Sequence, residues 1–206
     1  MTRDDVLQDV AYARALAEEG RRAPLIGGAY LIFFGVLLVA AYLAHWAIWT
    51  GALPVADPTY VGFVWLAFGV IAGLGVAALR RRTRQMPGSA SVSNQVDRHV
   101  WQGVSLGILI VVLATVSRSI LLDDYAAPNA IMAVGFCLYG LALYVSARMS
   151  DERWLNGFAF LAWIASGLLF FFLDEPVSYL LAASAAAAVL IIPGVMLIQR
   201  EPKTTI

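Results

Sequence analysis

Cysteine, histidine and charge are all scarce in this 206-residue chain, and each scarcity excludes something. The single cysteine, Cys137, leaves no partner for a disulfide within the chain. Charged residues make up 14% of the sequence and hydrophobic ones 61%. Soluble domains run nearer about 25% and 45–50%, so the bilayer is the natural solvent for this chain. Fourteen basic residues balance fourteen acidic ones, so no basic excess points to nucleic acid. A cleaved leader would begin with a basic stretch and a short apolar core. Here twenty-odd polar, mostly acidic residues come first, so the first apolar run is expected to stay as an anchor.

Catalytic signatures are missing too. No Walker A loop, CxxC, HxxxH, HExxH or GxSxG elbow occurs, and the ASG at 165–167 fails the last on spacing. The two histidines, His45 and His99, are expected at opposite membrane faces, about a bilayer apart, which excludes a haem held between them. No metal or other cofactor is expected.

Six apolar runs are present, at about 25–48, 60–79, 100–122, 129–148, 154–173 and 177–198. Each approaches the roughly 20 residues that a spanning helix needs. None shows the ten-residue alternation of a membrane barrel strand. With no water in the hydrocarbon, helices satisfy their own backbone, so the predicted fold is all-α. It is an integral membrane bundle of six transmembrane helices over 24–199, preceded by a short cytoplasmic amphipathic helix in 1–23 and followed by a tail at 200–206. The links DDYAAP, MSDER and DEP are tight, whereas 80–99 is basic and then Ser/Gly-rich and is expected to be mobile in its middle.

An even number of spans puts both termini on one side, and thirteen of the fourteen basic residues fall on that side. The positive-inside rule makes that side the cytoplasm. The exception is Arg118, about 10 Å outward of a helix midpoint at residue 111, at 1.5 Å per residue. Its stem can follow lipid while its head reaches the interface. The outer surface offers it Asp57, Asp123, Asp124, Asp174 and Glu175, so an ion pair with Asp123, Asp124 or the Asp174–Glu175 hairpin is expected. The same cluster, joined by His45, is the candidate outer site for an ion or a proton.

No Asp, Glu, Lys or Arg occupies the central part of any of the six runs. The polar groups there are those of Thr115, Ser166, Ser184 and Cys137. Transport coupled to protons or sodium usually uses a midplane carboxylate or a broken helix pair, so this pattern argues against it. Gly69, Gly73, Gly103 and Gly107 recur at helical spacing and are expected to let helices pack closely, as are Gly28 with Gly35 and the Ala182–Ala188 face. Pro193, which has no N–H, is expected to kink or end the last helix.

DDVLQDVAYARALAEEG opens with acids and ends at Gly20, with Pro24 beyond, the start and stop signals of a helix. Val6, Val10, Ala13 and Ala17 share one face of it. Residues 1–20 carry a net charge of −3, which anionic lipid would repel. This helix is therefore expected to dock on protein: on Arg80, Arg81 and Arg82 of its own chain or on a cytoplasmic partner.

Taken together, RALAEEGRRAPLIGG at 14–28, YVSARMSDERWL at 144–155 and IIPGVMLIQR at 191–200 resemble a group of uncharacterised small six-span bacterial inner-membrane proteins. That resemblance implies an acidic helix followed by six spans, and supplies no activity or catalytic residue. The expectation is a non-enzymatic accessory, assembly or sensing subunit. Its partners would be the lipid bilayer and a membrane protein or a second copy of itself. The alternative is a facilitator of an uncharged or lipophilic solute, with Thr115, Ser166 and Ser184 lining its path.

Overall fold

The computed structural model describes residues 6–8, 12, 24–53 and 60–201, and every regular element among them is helical. The helices are α1 Gly28–Trp49, α2 Tyr60–Thr83, α3 Val92–Leu122, α4 Ala130–Met149 behind a 3-10 turn Ala127–Asn129, α5 Leu155–Phe171, and α6 Val177–Ala186. A π turn, Ala187–Ile191, then leads into α7 Ile192–Arg200.

Five stretches are long and apolar enough to cross a membrane: Gly28–Trp49, Tyr60–Thr83, Val92–Leu122, Ala127–Met149 and Val177–Arg200. The sixth expected span is the 17-residue α5. At 1.5 Å per residue it measures about 26 Å, somewhat less than the roughly 30 Å of hydrocarbon.

Two sequence expectations fail in detail. The segment 80–99 is largely helical: α2 runs on to Thr83 and α3 begins at Val92. Ser91 explains the early start, since it is extended and its side chain accepts a hydrogen bond from the Asn94 N–H, a helix N-cap. Pro193 does not end the last helix, which continues to Arg200. The preceding turn widens instead, so that the Ile192 N–H bonds Ala187 O, five residues back.

The helices form an arc in the order α2, α1, α6–α7, α5, α4, α3, judged by which pairs pack. The core lies where α4, α5 and α6–α7 meet α1, with Phe136, Leu143, Leu155, Leu169, Val189 and Leu190 fully buried. Ala182, Ala183 and Ala186 supply the smooth face of α6. At the flanks, α2 leans chiefly on α1 and buries none of its 24 residues. On α3, a row including Leu106, Ile110, Leu113 and Ile120 remains exposed.

Close helix approach uses the expected Gly28 and Gly35, and others besides, but not most of the four-residue pairs. A Cβ on Gly28 would lie 2.7 Å from Gly194 O, and one on Gly194 2.9 Å from Gly28 O. Gly35 abuts Ile191, Gly75 abuts Phe33, and Gly140 abuts Trp163. By contrast, a Cβ on Gly69, Gly73 or Gly103 would meet nothing within 4 Å, so these three do not pack helices within the chain. Of the Gly69–Gly73 and Gly103–Gly107 pairs, only Gly107 makes a contact: its Cβ would lie 3.4 Å from Leu138 Cδ1.

Candidate functional site

The start of α1, the end of α2, the start of α3, the α4–α5 link and the end of α7 gather at one end of the bundle, here the arginine-rich end. Its organising residue is Asn94, in the first turn of α3 and 7% exposed. Its Oδ1 accepts from the Ile26 N–H at 2.9 Å. Its Nδ2 donates to Pro24 O at 2.9 Å, Gly88 O at 3.1 Å and Ser91 Oγ at 3.0 Å. One amide thus binds the chain entering α1, the link between α2 and α3, and α3 itself. The neighbouring Ser93 Oγ donates to Met149 O at 2.8 Å, tying in the end of α4.

One turn further along α3, Asp97 Oδ1 accepts from Ser146 Oγ of α4 at 2.5 Å, and Trp101 donates to the same carboxylate. Asp97, Ser146, Gly27 and Leu143 line a water-sized cavity of about 10 Å³. Across this end, Glu201 takes a backbone hydrogen bond from Gly28, whose helix has no side-chain N-cap of its own. Burial raises the Glu201 carboxyl above its ordinary range, and the nearby Arg82 and the Gly28 bond only partly offset this. The Glu201 Oε1 atom is buried and has no hydrogen-bond partner among the described residues.

A second tie closes the α4–α5 link. Arg200 Nη1 pairs with Glu152 Oε2 at 2.6 Å, the Trp154 Nε1–H donates to the same oxygen, and the Arg200 guanidinium lies 5.2 Å from the Trp154 ring centroid. Glu152 is 14% exposed, so this pair is better shielded than an ordinary surface ion pair.

At the far end, the expected outer cluster comes together only in part. Arg118 Nε pairs with Asp124 Oδ2 at 2.6 Å. Asp124 also accepts from the Ala127 N–H, so one carboxylate joins the end of α3 to the turn that opens α4. These contacts, the Arg118 hydrogen bond foremost, hold the Asp124 carboxyl below its ordinary value. Asp123 ends α3 in the left-handed region, at φ 54°, and accepts from Tyr125 OH. Asp174 and Glu175 are exposed, and Asp57 lies outside the described residues.

His45 joins an aromatic group instead of the carboxylates. Trp65 Nε1–H donates to His45 Nδ1 at 3.0 Å, which leaves the neutral ring with its proton on Nε2. The Tyr179 ring lies 3.9 Å from the imidazole, and Tyr179 OH donates to Asn129 Oδ1 at 2.8 Å. Among the described residues, no three His, Cys, Asp or Glu side chains are placed to hold a metal.

The three hydroxyls proposed for a solute path bond to backbone carbonyls: Thr115 to Val111, Ser184 to Leu180, and Ser166 to Ala133 on the neighbouring α4. Of the expected docking residues, Val6, Arg80, Arg81 and Arg82 are exposed, while Val10 and Ala17 lie outside the described residues.

Sequence reasoning missed Asn94 and Asp97. An asparagine inside a Ser-rich link reads as solvated loop, and Asp97 reads as an ordinary interfacial acid. The signal available was Ser91 three residues before Asn94, the spacing of a cap to the N–H it serves. Compared with protein-family models, with curated proteins and with solved structures, the chain matches none.

Proposed function

We propose that this chain is a non-enzymatic multi-pass protein of the bacterial inner membrane, serving as an accessory, assembly or sensing subunit through protein–protein contacts. In this reading all six apolar segments span, the short α5 included, and both termini and the arginine-rich end face the cytoplasm. The observation that carries it is the Asn94 junction. The expected acidic N-terminal helix and the basic 80–98 segment are the two candidate docking elements. Asn94 lies within the second, bonds its Gly88, and bonds Pro24 and Ile26, where the chain from the first enters α1. A partner bound to either element would therefore bear on the first turn of α3, and through Ser93 and Asp97 on α4.

Native mass spectrometry of the protein extracted mildly from its own membrane tests this. The expected result is a co-purifying polypeptide that is lost on deletion of residues 1–20 and weakened by Asn94→Ala. A bare monomer or homodimer carrying a small molecule would overturn the proposal in favour of solute transport. Cysteines introduced at positions 90 and 56 should be labelled from the cytoplasm and the outside respectively, and the reverse pattern would sink the orientation.

A further inference from the structure

Helix α2 lies at the edge of the bundle, packed on α1, and its outward face has two parts. Towards its C-terminal end lies a cleft of about 320 Å³ lined by Ala77, Arg80, Arg81 and Arg84. Arg82 lies near enough to Glu201 to act on its charge but forms no ion pair with it. The side chains of Arg80, Arg81 and Arg84 make no ion pair or hydrogen bond among the described residues. Among the described residues, these three guanidinium groups share one face of α2 without a counter-charge. Guanidinium forks match phosphate oxygens, and an anion in the cleft relieves the repulsion among them.

The second part continues the same stripe. Leu66, Val70, Gly73 and Ala77 follow at helical spacing in line with the cleft. Leu66 and Val70 are 63% and 56% exposed, and the space beside Gly69 and Gly73 is open. From Leu66 to Ala77 the helix rises about 16 Å, close to half of the roughly 30 Å hydrocarbon thickness. Exposed apolar side chains continue past Leu66 to Phe63 and Tyr60, so the strip reaches at least one leaflet below the arginines, which stand where head groups begin.

We propose that Arg80, Arg81 and Arg84 bind the head-group phosphate of an anionic phospholipid whose acyl chain lies along Leu66, Val70 and Gly73. A free phosphate would use the arginines alone and leave the strip without a role. The inference rests on the multi-pass reading and is independent of any protein partner at the Asn94 junction.

The test uses the full chain in vesicles of phosphatidylcholine containing a minor fraction of phosphatidylglycerol, followed by delipidation and native mass spectrometry of the retained lipid. At about a fivefold gain per arginine near the membrane surface, retention should favour phosphatidylglycerol on the order of a hundredfold. The variant R80Q/R81Q/R84Q should lose that preference, while R98Q, which removes a charge elsewhere at this end, should keep it. Gly73→Leu fills the furrow without changing charge and should lower retention several-fold. If the triple variant fails to fold by circular dichroism, R84Q alone should lose about a fivefold share. Unchanged preference in the arginine variants overturns the proposal. So does arginine-dependent binding of inorganic phosphate in detergent together with unchanged lipid retention in Gly73→Leu, which would assign a free-anion site.

Discussion

Gly28 and Gly194 lie backbone against backbone, each one's Cβ position within 3 Å of the other's carbonyl oxygen. This contact brings α1 and α7 together and fixes the start of α1 beside Glu201 and Asp97. It depends on both residues lacking a side chain, because the obstructing atoms are backbone and cannot turn aside.

Gly28→Ala or Gly194→Ala should therefore destabilise the protein by about 1–3 kcal/mol, the usual cost of overpacking. Gly69→Ala and Gly73→Ala are the matched controls. Their Cβ atoms meet open space, so the higher helix propensity of alanine should leave stability unchanged or raise it by about 0.5–1 kcal/mol. Thermal unfolding in one detergent compares all four, and equal losses at the four sites would refute the packing described here.

The Arg118–Asp124 pair joins the end of α3 to the start of α4 at an exposed site, with Arg118 59% accessible. Its lowered carboxyl pKa means that its contribution is present above the ordinary Asp range and is lost as pH falls through the lowered value. Arg118→Leu should therefore reduce Tm slightly at neutral pH, and the deficit should close in acid as Asp124 is protonated in the wild type. A deficit that persists unchanged in acid would show that the arginine stem matters and its charge does not.

Glu201 behaves in the opposite sense. Burial raises its carboxyl, so folding favours the protonated form. Its contribution is full below the ordinary Glu range and fades as pH rises through the raised value. Glu201→Gln keeps an acceptor for the Gly28 N–H and removes the buried charge. It should match or exceed wild-type stability at neutral pH and flatten the pH dependence. A variant that is less stable at neutral pH than in acid would contradict this.

Much of the fold is legible because apolar runs record membrane helices directly: the helices fall on all six expected segments, five of them long enough to cross. The Arg118–Asp124 tie was also within reach, since only a few carboxylates stand near that arginine. What local pattern does not convey is the identity of a residue's distant neighbour. Gly69–Gly73 and Gly103–Gly107 have the expected four-residue spacing, yet the close approach falls to the expected Gly28, whose partner Gly194, near the opposite end of the chain, no local pattern announced. Asn94 was hidden for the same reason, because three of its contacts are made with segments that sequence reading treated as separate links. His45 was drawn to carboxylates by chemistry, whereas packing gave it Trp65 and Tyr179.

The π turn at Ala187–Ile191 acts as a phase adjuster for the last helix. An α-helix advances about 100° per residue, so the wider turn sets the angular position of everything after it. It is what turns the bare edge of Gly194, and not a neighbouring side chain, towards Gly28. Because a π turn takes up one residue more than an α turn, removing one residue there would restore an ordinary α-helical ladder and keep the Gly194 edge towards α1. Removing one elsewhere ahead of Gly194 in the last helix would instead swing that edge about 100° out of mesh.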